Sequence, residues 1–159
     1  MKIGRLSCVL ALLWMAASPA AWSQNYPPYI ALASVDAGRI VEPRSPEALR
    51  TKAAFDRASS LCVAPNGLEN QVSYIRNEIL KQTTATSNVE ILEGLAGILS
   101  GASKKPECVK ILTMYAGLRT GNNPEMTTHT DVVIGMRGLA RSGIFGFAVK
   151  GSDPKISTP

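Results

Sequence analysis

The sequence predicts an all-α fold, a compact single-domain bundle of about five antiparallel helices. Three observations predict it. Apolar residues recur at helical spacing in successive segments from Ser45 to Ala140. Recognisable helix starts open most of them: Ser45-Pro46-Glu47, Asn66 with Glu69, Ser87 with Glu90, and Asn123-Pro124-Glu125. Polar loops of roughly 3–7 residues join the segments, short enough to make sequential helices antiparallel neighbours.

Residues 1–23 stand apart from this pattern. Lys2 and Arg5 precede an apolar run from Leu10 to Ala17, followed by Pro19 and small residues. That order is a secretory signal peptide, with cleavage expected near Ser23. The run is too short to span a bilayer comfortably, and no later segment resembles a span. The expected product is periplasmic, with no membrane attachment after cleavage. Residues 24–44 hold three prolines and no clean period, and read as an N-terminal arm with one short helix or strand.

The helical domain is expected over residues 45–150. Its first helix takes Ser45 as N-cap and turns Leu49, Ala53, Ala54, Ala58, Leu61 and Cys62 inward, until Pro65-Asn66-Gly67 stops it. The second opens on a capping box of Asn66 and Glu69. It aligns Leu68, Val72, Ile75 and Ile79 opposite Asn70, Ser73, Asn77 and Lys81, the clearest amphipathic pattern in the chain. The third starts at the Ser87/Glu90 box and buries Ile91, Leu92, Leu95, Ile98 and Leu99. Gly94, Ala96 and Gly97 within it allow a neighbouring helix to come close, and Gly101 suits the left-handed position after its end. The fourth places Cys108, Ile111, Leu112, Tyr115 and Leu118 on one side and ends at Gly121. The fifth carries Val132, Val133, Met136, Leu139 and Ala140 inward. Residues 143–150, apolar and glycine-rich, are either a helix end with a packed tail or a short strand. Residues 151–159 are expected to be a disordered tail.

Without the signal peptide, Lys2 and Arg5 are lost and the formal net charge falls from +5 to +3. That mildly favours acidic partners. No Lys/Arg-rich run exists beyond Lys104-Lys105 and aromatics are few, which excludes a nucleic-acid footprint. Cys8 leaves with the signal, so two cysteines, Cys62 and Cys108, remain in an oxidising compartment. A bridge between them would close a loop of about 47 residues and contribute roughly 4 kcal/mol on the chain-entropy estimate. Such a staple is the favoured reading. A catalytic or redox Cys108, near Lys104 and Lys105 with His129 as its base, and two unpaired core cysteines are the alternatives.

Other chemistries lack their residues. Two cysteines and one histidine without CxxC spacing make a poor zinc site, so no metal or cofactor is expected. There is no GxSxG, HExxH, phosphate-binding glycine loop or EF-hand loop. His129 reads as an exposed residue near a helix start, Arg137 and Arg141 as a solvated face. Gly135, Gly138, Gly143 and Gly146 read as sites of helix packing or termination.

Attention therefore moves to the polar loops, 81–87, 101–106 and 119–124. Their candidate contact residues are Thr83, Thr84, Thr86, Ser87, Ser103, Lys104, Lys105, Asn122 and Asn123. In size, export signal, helical pattern and cysteine pair, residues 24–159 resemble the periplasmic immunity proteins that protect bacteria against type VI secreted peptidoglycan amidases. The resemblance implies a non-catalytic protein whose partner is a secreted effector, a peptidoglycan amidase. A loop such as 81–87 or 101–106 would then cover the amidase's catalytic Cys-His cleft. Other expectations left standing are a small envelope hydrolase using Cys108 and His129, an envelope assembly or secretion-accessory protein, and a homodimer.

Overall fold

Helix starts and apolar stripes between Pro27 and Arg141 resolve into six α-helices in the computed structural model, which describes residues 26–80, 86–121 and 128–150. They are α1 (Pro28–Ala37), α2 (Pro46–Leu61), α3 (Leu68–Tyr74), α4 (Asn88–Leu99), α5 (Cys108–Arg119) and α6 (His129–Arg141). The expected signal peptide and C-terminal tail lie outside the described residues. Among those described there is no sheet, only isolated bridges joining Val63 to Glu107 and Ala102 to Val149.

The arm, expected to hold one short helix or strand, forms α1. Pro28 at its first position presets the backbone, and Gly38 ends it in the left-handed conformation at φ 65°. Ile30 and Ala33 pack with Val41 and Ala48 in a small satellite core, while Leu32 joins the main one. α1 therefore belongs to the folded body.

α4 is the central helix, packed against α1, α2 and α6. Its Ser87/Glu90 capping box forms as expected: Ser87 Oγ accepts from the Glu90 N–H at 3.2 Å, and the Ser87 N–H donates to Glu90 at 2.8 Å. All five residues of its apolar stripe are buried. A Cβ on Gly94 would stand 2.7 Å from His129 Cε1 and 3.1 Å from Val133, so glycine is what lets α6 approach here.

Several elements depart from their sequence pattern, each for a physical reason. Asn66 and Glu69 do not form the expected box. Gly67, at φ 82°, is the N-cap of α3, and the Glu69 carboxylate folds back over it. The amphipathic pattern continues past Tyr74 as a π-helical stretch, Ile75–Ile79. Its wider turn sends Leu80 into the core five residues after Ile75, leaving Ile79 half-buried. On α2 the buried stripe is Ala48, Thr51, Ala54 and Ala58. Leu49, expected inside, is exposed, because the helix meets its neighbours through its small residues. α6 begins at His129 with a Thr128/Asp131 capping box, later than the Asn123-Pro124-Glu125 signal, which lies outside the described residues.

Two arginines displace leucines expected in the core. Leu118 and Leu139 are exposed, whereas Arg119 and Arg137 are buried. Arg137 Nη1 donates to the carbonyls of Gly97 (2.5 Å) and Ser100 (3.2 Å), satisfying the open C-terminal end of α4. It is a tether between helices; the expected solvated face keeps only Arg141. Gly117, Gly135 and Gly138 face open space, so close helix packing does not account for them.

Candidate partner-binding surface

Two ends of the bundle carry the loops singled out in the sequence, and the structure treats them differently. At one end, Arg119 Nη2 donates to Thr86 Oγ1 at 3.2 Å. This places the end of loop 81–87 beside the start of loop 119–124. Thr83, Thr84, Asn122 and Asn123 lie outside the described residues. Thr86 is buried, and its carbonyl accepts from Arg76 Nε at 3.3 Å. Ser87 is occupied as the N-cap of α4. Both residues hold the frame together.

A polar pair lies against the same helices. Tyr115 and His129 hydrogen-bond through the phenol oxygen and Nδ1 at 2.8 Å, their rings meeting edge to face with centroids 5.7 Å apart. Burial lowers the His129 pKa from its ordinary value and raises that of Tyr115 to about 12. Glu90 and Glu93 on α4 oppose the histidine shift, and Arg119 on α5 reinforces it. His129 is thus a half-buried packing residue, contrary to the exposed position expected.

The opposite loop, 101–106, is exposed at its tip and clamped at both feet. At the first foot Gly101 takes φ 81° and the segment after α6 pairs with it: the Lys150 N–H donates to the Gly101 carbonyl at 2.9 Å. The Ser103 N–H donates to the Ala148 carbonyl at 2.8 Å, and Ser103 Oγ accepts from the Ala148 N–H at 3.2 Å. Phe147 and Val149 are buried behind this contact. Residues 143–150 are therefore the packed tail of the two forms expected, joined to the loop by one bridge.

At the second foot, the Val63 N–H donates to the Pro106 carbonyl at 2.8 Å, and the Cys108 N–H donates to the Val63 carbonyl at 2.9 Å. The Cys62–Cys108 disulfide, with its Cα atoms 5.1 Å apart, locks the same corner. Between the feet Ser103, Lys104 and Lys105 are exposed. Lys150 is exposed beside Gly101, whereas Lys110 pairs with Glu107 at 3.0 Å.

A Cys108–His129 catalytic pair is not assembled. Cys108 is fully buried and bonded to Cys62, while His129 sits against Tyr115, two helical turns or about 10 Å further along α5. Among the described residues no three His, Cys, Asp or Glu side chains gather as a metal site, and no helix is long and apolar enough to cross a membrane. Comparison of the chain with protein-family models, with curated proteins and with solved structures gives no match.

Sequence reasoning located the exposed lysines but missed what holds them. The pairing of residues 148–150 with residues 101–103 is non-local, and its only sequence trace is the apolar alternation of Phe145, Phe147 and Val149. It also missed a groove between α3 and α5, about 200 Å³ in volume and lined by Gln71, Tyr74, Ile75, Val109, Leu112 and Thr113. Tyr74 and Val109 occupy the polar faces of their helical patterns, the one available signal.

Proposed function

We propose that this chain is a non-catalytic periplasmic protein-binding protein, an immunity protein that inhibits a type VI secreted peptidoglycan amidase. In this reading loop 101–106 enters the amidase's active-site cleft and excludes the peptidoglycan stem peptide. The scaffold behind it is an antiparallel helical bundle. The observation that carries the proposal is a loop with Ser103, Lys104 and Lys105 exposed at its tip and both feet fixed, one by residues 148–150 and the other by the disulfide corner.

A loop ordered before binding loses little conformational entropy on association, so more of its contact energy appears as affinity. Protection against a secreted enzyme demands a dissociation constant of about nanomolar or below, and an interface of roughly standard size. The tip alone is too small, so neighbouring helix faces complete the surface. The cysteine-hydrolase alternative draws no support from a Cys108 held in a disulfide.

The test is inhibition of an amidase encoded beside this gene, assayed on peptidoglycan stem peptides. Stoichiometric inhibition is expected, and Lys104→Glu with Lys105→Glu should weaken it by about tenfold or more. If the neighbouring enzyme is neither bound nor inhibited, and deletion of this gene never sensitises cells to it, the immunity role is wrong.

A further inference from the structure

The α3–α5 groove lies next to the basic loop along the chain. Its floor is Ile75 and Leu112, both buried, and its rim carries Tyr74 and Val109, 59% and 41% exposed. Two large apolar side chains exposed on facing rims make a slot suited to one apolar side chain. Gln71 lines the same groove, and its amide oxygen is buried with no hydrogen-bond partner. A buried acceptor of that kind is costly to leave unpaired, and a backbone N–H entering the slot would satisfy it.

The groove itself carries no charge. Asn70 and the other lining residues are uncharged, and the approach to α5 carries Lys104 and Lys105. Of the nearby acids, Glu107 is paired with Lys110, Glu69 turns back over Gly67, and Glu78, one turn beyond Tyr74, is engaged in an interaction of its own. A segment with acidic residues beside its apolar anchor therefore meets matching charge.

We propose that this groove seats a short segment of a protein partner, with one apolar side chain between Tyr74 and Val109, a backbone N–H on the Gln71 oxygen, and acidic neighbours toward Lys104 and Lys105. The proposal rests on the protein-binding reading above, but it does not require the partner to be an amidase.

The probe is a capped pentapeptide with a central leucine and aspartates on either side, compared with its lysine-flanked counterpart. Binding to the full chain is followed by 15N chemical shifts, including the Gln71 side-chain amide. The acidic peptide is expected to give saturable shifts at Gln71, Val109 and Thr113, and to bind roughly tenfold or more tightly than the basic one. Val109→Lys, at an exposed position, should abolish the shifts, and Lys104→Glu with Lys105→Glu should reverse the charge preference.

Absence of saturable shifts at Gln71, equal binding of both peptides, or binding undiminished by Val109→Lys overturns the proposal. Groove shifts that follow protein concentration without peptide would assign the slot to a second copy of the chain, and also overturn it. If the peptide seats but the neighbouring amidase is not inhibited, only the immunity role fails. If the amidase is inhibited but the peptide does not seat, only the groove proposal fails.

Discussion

Asp36, in the last turn of α1, caps a helix that begins 52 residues later: its two carboxylate oxygens accept the backbone N–H groups of Asn88 at 2.8 Å and Val89 at 3.0 Å. Arg76 reaches the same carboxylate at 3.5 Å. The negative charge thus sits at the positive end of α4's dipole, satisfying donors the helix cannot satisfy itself. Asp36→Ala should lower unfolding free energy by about 2 kcal/mol, read from the urea midpoint. A loss under about 0.5 kcal/mol would show that the cap contributes little.

Stability should fall in mild acid because of His129. Burial lowers its folded pKa below the ordinary 6.5, so the unfolded chain takes up the proton more readily. The histidine's contribution is complete above pH of about 6.5, and is lost as pH falls from there toward the depressed folded value. Urea midpoints between pH 7.5 and 5 should fall less in His129→Gln than in the parent. Equal slopes would remove His129 as the cause.

Two glycine substitutions should act in opposite directions. Gly94→Ala drives a methyl to 2.7 Å from His129 and 3.1 Å from Val133, and should cost about 1–3 kcal/mol by overpacking the α4–α6 contact. Gly138→Ala meets nothing within 4 Å and should stabilise α6 by roughly 0.5–1 kcal/mol through helix propensity. Thermal melts of the two variants check the signs. A destabilised Gly138→Ala would mean that another surface needs this position small.

Arg137 and Arg141 differ by one helical turn and should differ widely in effect. Removing the Arg137 guanidinium leaves the Gly97 and Ser100 carbonyls without that donor, costing roughly 2–3 kcal/mol as Arg137→Ala. Arg141 is exposed, its contacts are screened by solvent, and Arg141→Ala should change stability by about 1 kcal/mol at most. Parallel urea titrations of both variants distinguish a buried tether from a surface charge.

The disulfide should be the largest single covalent constraint. Cys62→Ala with Cys108→Ala should lose roughly 3–4 kcal/mol, mostly by releasing the unfolded chain. The folded parent should show no reactive thiol from this pair before reduction. A thiol titrating at Cys108 in the untreated protein would contradict the bridge.

How legible the fold was depended on whether a signal was local. Ser87 and Glu90 lie three residues apart and bond to each other, so sequence spacing located the start of α4. Asn66 and Glu69 have the same spacing, yet Gly67 takes the cap position because its positive φ lets the chain enter α3 from the disulfide corner. Small side chains hid the phase of α2, where alanines lie on both faces and the bulkier Leu49 pointed to the wrong one. Arg119 and Arg137 were unreadable as interior residues, since the acceptors Thr86, Gly97 and Ser100 are distant in sequence. Of the candidate surface, the exposed lysines were visible but their supports were not.

The contact between Ser103 and Ala148 joins residues 45 positions apart, with α5 and α6 between them. Loop 101–106 therefore cannot take its final shape while residues 148–150 are still undelivered. During vectorial emergence of the chain, the earlier helices can collapse first, but Ser103, Lys104 and Lys105 acquire a fixed outline only after α5 and α6 have followed. A chain stopped at Phe147 should keep its helical content and still present the wrong tip.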